Sequence, residues 1–352
     1  MKHDRIIQAV RDIVYGFKPE NDISEILYRH NCFYLLSSLK DENMYHNQGK
    51  MVIARNHITI RDRYQACQKI FLELGETAYA VIKGAVLSHM AYGGVSIRNS
   101  SDIDILISKA DAQLVSKILL ENGFVQGRVT DDKIIPFTRQ EILYHLALTH
   151  QTAPFIKKTS SVFCPFVNVD INTDIFWGES NIKADMRVLL SRTTDFDIFG
   201  IPIKKLSPVM EFISLCMHHY KDMNSIYLLS RESLRLSLFC DLYFYLINNS
   251  HSLDIPLLQQ TCNKLKVTEY VYYCVHYTNL VFEDDRLQAY LEATRSDRGE
   301  ELLNMFGLND TERRTWGIEF FDRLFDESFP KRYRDILSDG DMKKIQLNQE
   351  QM

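Results

Sequence analysis

Two neighbouring stretches decide the fold: residues 82–85 read IKGA, and residues 98–107 read RNSSDIDILI. Successive side chains of a β-strand point to opposite faces, so Asp102 and Asp104 share one face while the isoleucines share the other. The pattern predicts an apolar strand over Ile103–Ile107 that begins beside two carboxylates. Because like charges held this close repel each other, we expect them to require a cation, and oxygen ligands suit a hard ion such as Mg²⁺.

A D-x-D pair alone is a weak signal, because two aspartates at an exposed strand end are usually solvated and inert. The preceding segment favours a functional interpretation. Residues Ala78–Ile82 predict a short strand that ends at Lys83 and leads into a helix over Gly84–Tyr92. Gly84 permits close backbone approach, and the first N–H groups of a helix can bind phosphate oxygens. Lys83 and Arg98 add positive charge, so the sequence predicts a phosphate site next to the acidic pair.

Helical periodicity flanks this region on both sides. Apolar residues recur at every third or fourth position before residue 75 and again after Pro208. Between them, short strands alternate with helices, which predicts an α+β fold: a mixed sheet with flanking helices, plus N-terminal and C-terminal helical regions. The expected domains are 1–75, 76–205 and 206–352, and the tail after Ser338 is expected to fray. Further predicted elements are strands Phe124–Gly127, Val162–Phe176 and Phe196–Ile203, a strand carrying His145 and His150, and the helix Ala110–Asn122.

Composition limits the functional classes. The chain has 352 residues, 45% of them hydrophobic, and a net charge of -5, so it can bury a core and carries no strong nucleic-acid signal. Seven cysteines without a C-x-x-C pair are typical of a reducing compartment. We find no secretion signal and no apolar run of the roughly 20 residues that a membrane span needs. A cytoplasmic protein is therefore expected.

The motifs resemble those of the nucleotidyltransferase superfamily with the DNA-polymerase-β-like fold. More narrowly, Lys83-Gly84, Tyr92, Arg98 and the SDIDILI run at 101–107 resemble an uncharacterised bacterial nucleotidyltransferase family. The resemblance is close over about residues 78–108 and can be followed to about residue 245. The chain departs from the superfamily where Ala85 replaces the usual serine after the glycine. Backbone amides are therefore expected to bind more of the phosphate.

The superfamily pattern requires a third carboxylate on a later strand. Residues 167–174 read VNVDINTD, and alternation places Asp170 and Asp174 on the polar face. Asp170 matches the acid of the family's strand and lies in its middle, so we favour it over Asp174. Asn172 occupies a position where the family commonly has a histidine.

The resemblance implies two-metal nucleotidyl transfer from an NTP, with pyrophosphate as the leaving group. Asp102, Asp104 and Asp170 would be the catalytic and metal-binding residues, with Mg²⁺ as the cofactor and Mn²⁺ as the alternative. An H-x-x-K element and a later acid resemble nucleotide-cleft residues of the family. The expected nucleotide-binding residues are Lys83, Gly84, Arg98, Ser101, His218, Lys221 and Asp241. Asp241 lies in an apolar run and needs a partner, for which Arg235 is the expected residue.

The acceptor is less constrained by the sequence. An acidic net charge and the absence of a basic stripe favour a small molecule or a peptide natural product that offers a hydroxyl or phosphate. A toxin-like enzyme acting on tRNA or protein is the alternative within the same chemistry. A catalytically inactive nucleotide-binding module is the alternative outside it. The gathering of three acids argues against the inactive module, because an inactive site has no electrostatic reason to hold them.

Overall fold

A computed structural model of the chain describes residues 3–40, 44–178, 180 and 182–351, without the side chains of 147, 148 and 347–351. The chain divides into two compact units. One unit comprises residues 54–214, and the other comprises residues 1–53 together with 215–352. We call them the sheet unit and the helical unit.

Helices come first along the chain. They are α1 (Asp4–Val14), α2 (Ser24–Arg29), a 3₁₀ helix (Phe33–Ser38) and the long α3 (Met44–Leu74). Alternating strands and helices follow: β1 (Tyr79–Ile82), α4 (Gly84–Tyr92), β2 (Ile103–Ile107), a 3₁₀ turn (Lys109–Asp111), α5 (Ala112–Glu121), β3 (Val125–Thr130), β4 (Lys133–Pro136), α6 (Arg139–Leu148), β5 (Phe155–Lys158), β6 (Phe166–Asn172), α7 (Met186–Leu190), β7 (Thr193–Ile198) and β8 (Ile201–Leu206).

The remainder of the chain is helical apart from one small hairpin. Its elements are α8 (Pro208–Asn224), α9 (Ile226–Leu229), α10 (Leu236–Asn248), α11 (Ile255–Leu265), α12 (Thr268–Phe282), a 3₁₀ turn (Asp285–Leu287), α13 (Gln288–Thr294), α14 (Asp297–Leu303), β9 (Met305–Phe306), β10 (Arg314–Thr315), α15 (Phe320–Phe325), α16 (Phe329–Asp335) and α17 (Asp339–Gln351). None of the helices in the described ranges combines the length and the apolar character needed to cross a bilayer.

The sheet unit is built on one mixed sheet of eight strands in the order β4-β3-β5-β6-β2-β1-β8-β7. Two pairings are parallel, β2 with β6 and β1 with β8, and the other pairings are antiparallel. Alternate residues of β2 and β6 on one face of the sheet, from Ile103 to Ile107 and from Val167 to Ile171, belong to its hydrophobic core. The predicted α+β fold, a mixed sheet with flanking helices, is confirmed.

About six turns of α3, from Ala54 to its end, belong to the sheet unit. Ile60, Tyr64, Cys67, Ile70, Phe71 and Leu74 recur at helical spacing and pack into the core of the sheet. The compact unit therefore begins at Ala54, whereas the expected boundary lies at residue 75. The three-part division into 1–75, 76–205 and 206–352 stays a prediction.

One segment predicted as a single strand is a hairpin. Residues Phe196–Ile203 contain the turn between β7 and β8, which pair antiparallel from Thr193 with Leu206 to Ile198 with Ile201. Phe199 and Gly200 both have positive φ, of 56° and 80°. Two consecutive residues of that kind form the tight turn that matches the twist of a two-residue hairpin. The apolar pattern continues through such a turn, so periodicity alone did not reveal it.

Three further predictions need correction. His145 lies on helix α6 and His150 follows it, so neither is on a strand; Thr138 and Glu141 form a capping box that starts this helix. The strand predicted over Val162–Phe176 is limited to β6, which pairs with the unpredicted β5. The tail after Ser338 forms α17.

His30 connects two helices of the helical unit, because its Nδ1 accepts the N–H of Leu236 at 3.0 Å. Burial, together with the positive charges of Arg29 and Arg235, lowers the pKa of His30 from 6.5 to about 4. The folded chain holds His30 neutral. The contribution of His30 to the free energy of unfolding is therefore complete above pH 6.5 and declines as the pH falls toward 4.

At about pH 5 we expect this titration to reduce the free energy of unfolding by about 2 kcal/mol relative to neutral pH. Urea unfolding at the two pH values measures the loss. His30→Gln keeps an acceptor for the Leu236 N–H and cannot titrate, so it serves as the control. An equal loss in both proteins would contradict the assignment.

Candidate active site

Strand β2 carries the two acids of the D-x-D pair. Asp104 lies within the strand and is 5% exposed, whereas Asp102 precedes the strand and is partly buried. The intervening and following isoleucines are buried in the core on the opposite face. Alternation therefore directs both carboxylates away from the core, as the sequence predicts.

The parallel pairing of β2 with β6 brings a third acid beside them. Asp104 is the register partner of Asp170, between the pairs Ile103–Val169 and Ile105–Ile171. Partnered residues of neighbouring strands lie on the same face of a sheet and about 4.8 Å apart. Asp170 is therefore the adjacent carboxylate, and its catalytic role stays a prediction.

Asp174, the rival third acid, is placed differently. It follows the end of β6, and its Oδ1 accepts the backbone N–H groups of Phe176 at 3.1 Å and Ala184 at 3.4 Å. Burial raises the pKa of Asp174, while those backbone hydrogen bonds oppose the rise. This carboxylate organises a loop, and the choice of Asp170 over Asp174 as the third acid stays a prediction.

The turn between β1 and α4 has an unusual backbone. Lys83 has φ 56° and ψ -147°, and Gly84 has φ 48°, so two consecutive residues adopt a positive φ. Glycine tolerates this conformation, whereas a lysine there is strained by about 1–3 kcal/mol. Such strain persists where the surrounding structure enforces it, which is common at functional sites. Gly84 also begins α4, whose first N–H groups lack partners within the helix.

Lys83 places a cation against the acids. Its Nζ lies 3.0 Å from Oδ1 of Asp104, and both side chains are largely buried. The antiparallel register of β1 with β2 accounts for the contact, because Ile82 pairs with Asp104 and Lys83 follows directly. Lys83 thus offsets part of the negative charge of the acidic pair, and the expected Mg²⁺ stays a prediction.

The electrostatic environment of Asp102 is that of a partly desolvated acid. Burial is the main cause that raises the pKa of Asp102, and the negative charge of Asp104 raises it further. Lys83, Arg63 and Arg98 lower it in turn. An acid held in this balance is costly to ionise without more positive charge, which is typical of ligand and metal sites.

Arg63 is a residue of this site that the sequence analysis missed. It lies on α3, is 5% exposed, and its guanidinium Nη1 donates to the backbone oxygen of Ser100 at 2.7 Å and to Ser100 Oγ at 3.2 Å. Arg63 thereby holds the loop that leads into Asp102. An arginine beside the apolar stripe of α3 was the available signal, since charged residues are rarely buried without a role.

Two predicted nucleotide-binding residues lie on the same loop. The backbone N–H of Arg98 donates to Ser88 Oγ at 3.0 Å, which fixes the loop to α4, and the Arg98 charge reaches Asp102. Ser101 is exposed immediately before the acid. Both side chains are therefore near the carboxylates, and a role in binding nucleotide stays a prediction.

The donor set fits a hard cation in its chemistry. Within the described residues no group of three or more His, Cys, Asp or Glu side chains is arranged as a finished metal site. However, Oδ1 of Asn168 is buried without a hydrogen bond, on the same face of β6 as Asp170. An unsatisfied buried oxygen next to carboxylates is the donor type that Mg²⁺ takes. Asp102, Asp104 and Asp170 are the residues that would hold the ion.

The remaining predicted residues belong to the helical unit. On α8, Oδ2 of Asp222 lies 3.4 Å from His218 Nε2 and Oδ1 lies 3.7 Å from Lys221 Nζ. On α10, Asp241 is completely buried, and its Oδ2 lies 3.7 Å from Nε2 of the equally buried His219.

The prediction that Arg235 is the partner of Asp241 is wrong. Arg235 is exposed and pairs with Glu232, whereas His219 is the side chain that lies beside Asp241. Because a helix of this apolar character buries its acid completely, the chain must satisfy that acid from within. Roles for His218, Lys221 and Asp241 in nucleotide binding stay predictions.

Comparison with known proteins identifies a family for the chain. A family model described as an uncharacterised nucleotidyltransferase matches residues 36–283, which include all three acids and the Lys83-Gly84 turn. A search of curated proteins finds no match. The matched segment covers well over half of the chain, and the family implies an NTP substrate. The chain therefore belongs to the uncharacterised nucleotidyltransferase family.

Proposed function

We propose that the chain is a Mg²⁺-dependent nucleotidyltransferase that moves NMP from an NTP to a hydroxyl or phosphate of an acceptor and releases pyrophosphate. The parallel register of Asp104 with Asp170, beside the Lys83-Gly84 turn, is the observation that carries the proposal. In this arrangement three acids, the Lys83 ammonium and the N-terminus of α4 all belong to the sheet unit.

Each residue has a role in this reaction. The acceptor oxygen forms a bond to the α-phosphorus, the bond from the α-phosphorus to the bridging oxygen of pyrophosphate breaks, and Asp170 takes the acceptor proton. The amides at the start of α4 bind the phosphates, with Lys83 or Arg98 countering charge on the α-phosphoryl oxygens. Bound Mg²⁺, or Mn²⁺ in its place, would neutralise the triphosphate and lower the pKa of an acceptor hydroxyl.

A small molecule or a peptide natural product is the acceptor we favour. The chain has a net charge of -5, and a surface of this charge does not attract nucleic acid over long range. The same chemistry on tRNA or protein would define a toxin-like enzyme, and nucleotide binding without turnover would define an inactive module. Both are outcomes that the following experiment separates.

The test supplies the full chain with each α-labelled NTP, Mg²⁺ and lysate divided into small-molecule, protein and RNA fractions. Label in the small-molecule or peptide fraction, with matching pyrophosphate release, is the expected result. Label in RNA or in protein would replace the favoured acceptor with the toxin-like alternative. NTP binding without pyrophosphate release in any fraction would contradict the proposal and leave the inactive module.

The two candidates for the third acid make opposite predictions. Asp170→Asn should reduce transfer by at least about 100-fold, because it removes a charge that faces the reacting groups. Asp174→Asn should retain transfer, because an amide oxygen can still accept the N–H groups of Phe176 and Ala184. Label incorporation at equal protein concentration measures both variants. The reverse ranking would assign the third acid to Asp174.

A further inference from the structure

Two amide side chains, those of Asn172 and Gln151, form a chain of hydrogen bonds that ends on Asp104. Asn172, at the end of β6, is 2% exposed, and its Nδ2 donates to Oδ1 of Asp104 at 3.0 Å. Its own Oδ1 accepts a hydrogen bond from Nε2 of Gln151 at 2.9 Å. The Asn172 amide oxygen is occupied by the hydrogen bond from Gln151. Gln151 therefore orients the amide so that its NH₂ group faces the Asp104 carboxylate.

Gln151 is itself held in place by the backbone. It forms an isolated antiparallel bridge with Asn172, and its N–H donates to Thr149 Oγ1 at 3.1 Å, just after α6. The two amides therefore connect the end of α6 to the acid on β2 through side chains that the fold orients. Buried polar groups that are connected in this way restrict one another to a single arrangement.

The connection ends on one oxygen of Asp104. Oδ1 receives both the Asn172 amide and the Lys83 ammonium, 3.0 Å from each. Across the described part of the chain, Oδ2 has no hydrogen bond or ion pair. A carboxylate with one oxygen saturated has a fixed plane, and its second oxygen stays available to a cation or a substrate group.

We propose that Asn172 and Gln151 form a positioning pair that holds Asp104 for catalysis, with Oδ1 anchored and Oδ2 presented to the reacting groups. The inference rests on the proposed nucleotidyl transfer and assigns two residues to it that act through Asp104. Groups that orient a metal-binding or catalytic carboxylate typically cost about 10- to 100-fold in metal affinity or activity when they are replaced.

Steady-state kinetics with the labelled NTP is the first test. Asn172→Ala should lower kcat on the order of 10- to 100-fold with little change in KM for the NTP. Gln151→Ala should lower kcat less, and the double variant should match Asn172→Ala, because Gln151 acts only through Asn172. Asn172→His restores an N–H donor and should recover part of kcat.

Gln126→Ala is the matched control, because this half-buried glutamine of β3 donates to the Ala153 oxygen and belongs to no part of the site. It should keep the wild-type kcat. Additive losses in the double variant, or a wild-type kcat in Asn172→Ala, would overturn the proposal. If Asn172→Ala does not fold, Gln151→Ala serves as the test, because the Gln151 side chain is less buried than that of Asn172. A wild-type kcat in Gln151→Ala would then overturn the proposal.

A second measurement separates this inference from the proposed function. In the full chain labelled with ¹⁵N-asparagine, the side-chain NH₂ of Asn172 should exchange slowly with solvent and faster in Gln151→Ala and Asp104→Asn. If wild type transfers no nucleotide, the proposed function fails while slow exchange still supports the positioning pair. Exchange that is unchanged in both variants would overturn the pair even in an active enzyme.

Discussion

Asp102→Asn is expected to abolish nucleotidyl transfer without lowering the free energy of unfolding at neutral pH. The amide removes a negative charge from the site, which should cost at least about 100-fold in turnover. It also removes a carboxylate whose pKa is raised by burial and by Asp104. A raised pKa means that the folded chain binds the proton more tightly than the unfolded chain does. The contribution of Asp102 to stability is therefore present at low pH and lost as the pH rises through its folded pKa.

Asp102→Asn has no carboxylate to ionise at this position, so it does not lose stability as the pH rises. At neutral pH it should be as stable as the wild type or more stable. Functional sites commonly hold groups that reduce stability, and neutralising them increases it. Label incorporation and urea unfolding at neutral pH measure the two effects. Asp195→Asn is the matched control, because Asp195 is an exposed acid on the edge strand β7 and should leave both quantities unchanged. A variant that keeps transfer, or that unfolds more easily, contradicts the assignment.

Lys83→Met should have the opposite effect on stability. It leaves the Asp104 carboxylate, whose side chain is only 6% exposed, without its ion-pair partner. Removing one partner of a buried pair costs about 3–5 kcal/mol, because the other charge stays buried. Transfer should fall as well, since the ammonium contacts Asp104 directly and is expected to counter phosphate charge.

The double variant Lys83→Met with Asp104→Asn isolates the cause. Neutralising both groups should recover most of the lost stability, because no unpaired charge remains, while transfer stays absent. Urea unfolding of the two single variants and the double variant gives the coupling energy. Lys109→Met, which changes an exposed lysine of the same unit, is the control and should retain full stability. Losses that simply add in the double variant would contradict a direct interaction between Lys83 and Asp104.

Local elements of the site were predictable. The predicted strand Ile103–Ile107 and the predicted helix Gly84–Tyr92 coincide with β2 and α4, because alternation and helical spacing are properties of a few consecutive residues. The family was also recognisable from the Lys83-Gly84 and D-x-D motifs. The hairpin of β7 with β8 and the helix α6 were missed, since turn conformation and helix capping interrupt an apolar pattern only weakly.

Which face of β2 carries the acids, and where the Lys83-Gly84 turn lies, follow from residues that are close together in the chain. The position of Asp170 beside Asp104, and the contact of Arg63 from α3 with the loop before Asp102, depend on how distant segments of the chain pack together. The two kinds of feature depend on interactions that act over different separations along the chain. Side-chain direction follows from the neighbouring peptide units, whereas strand register and helix docking follow from burying the whole apolar face of the sheet, to which residues far apart in the chain contribute together.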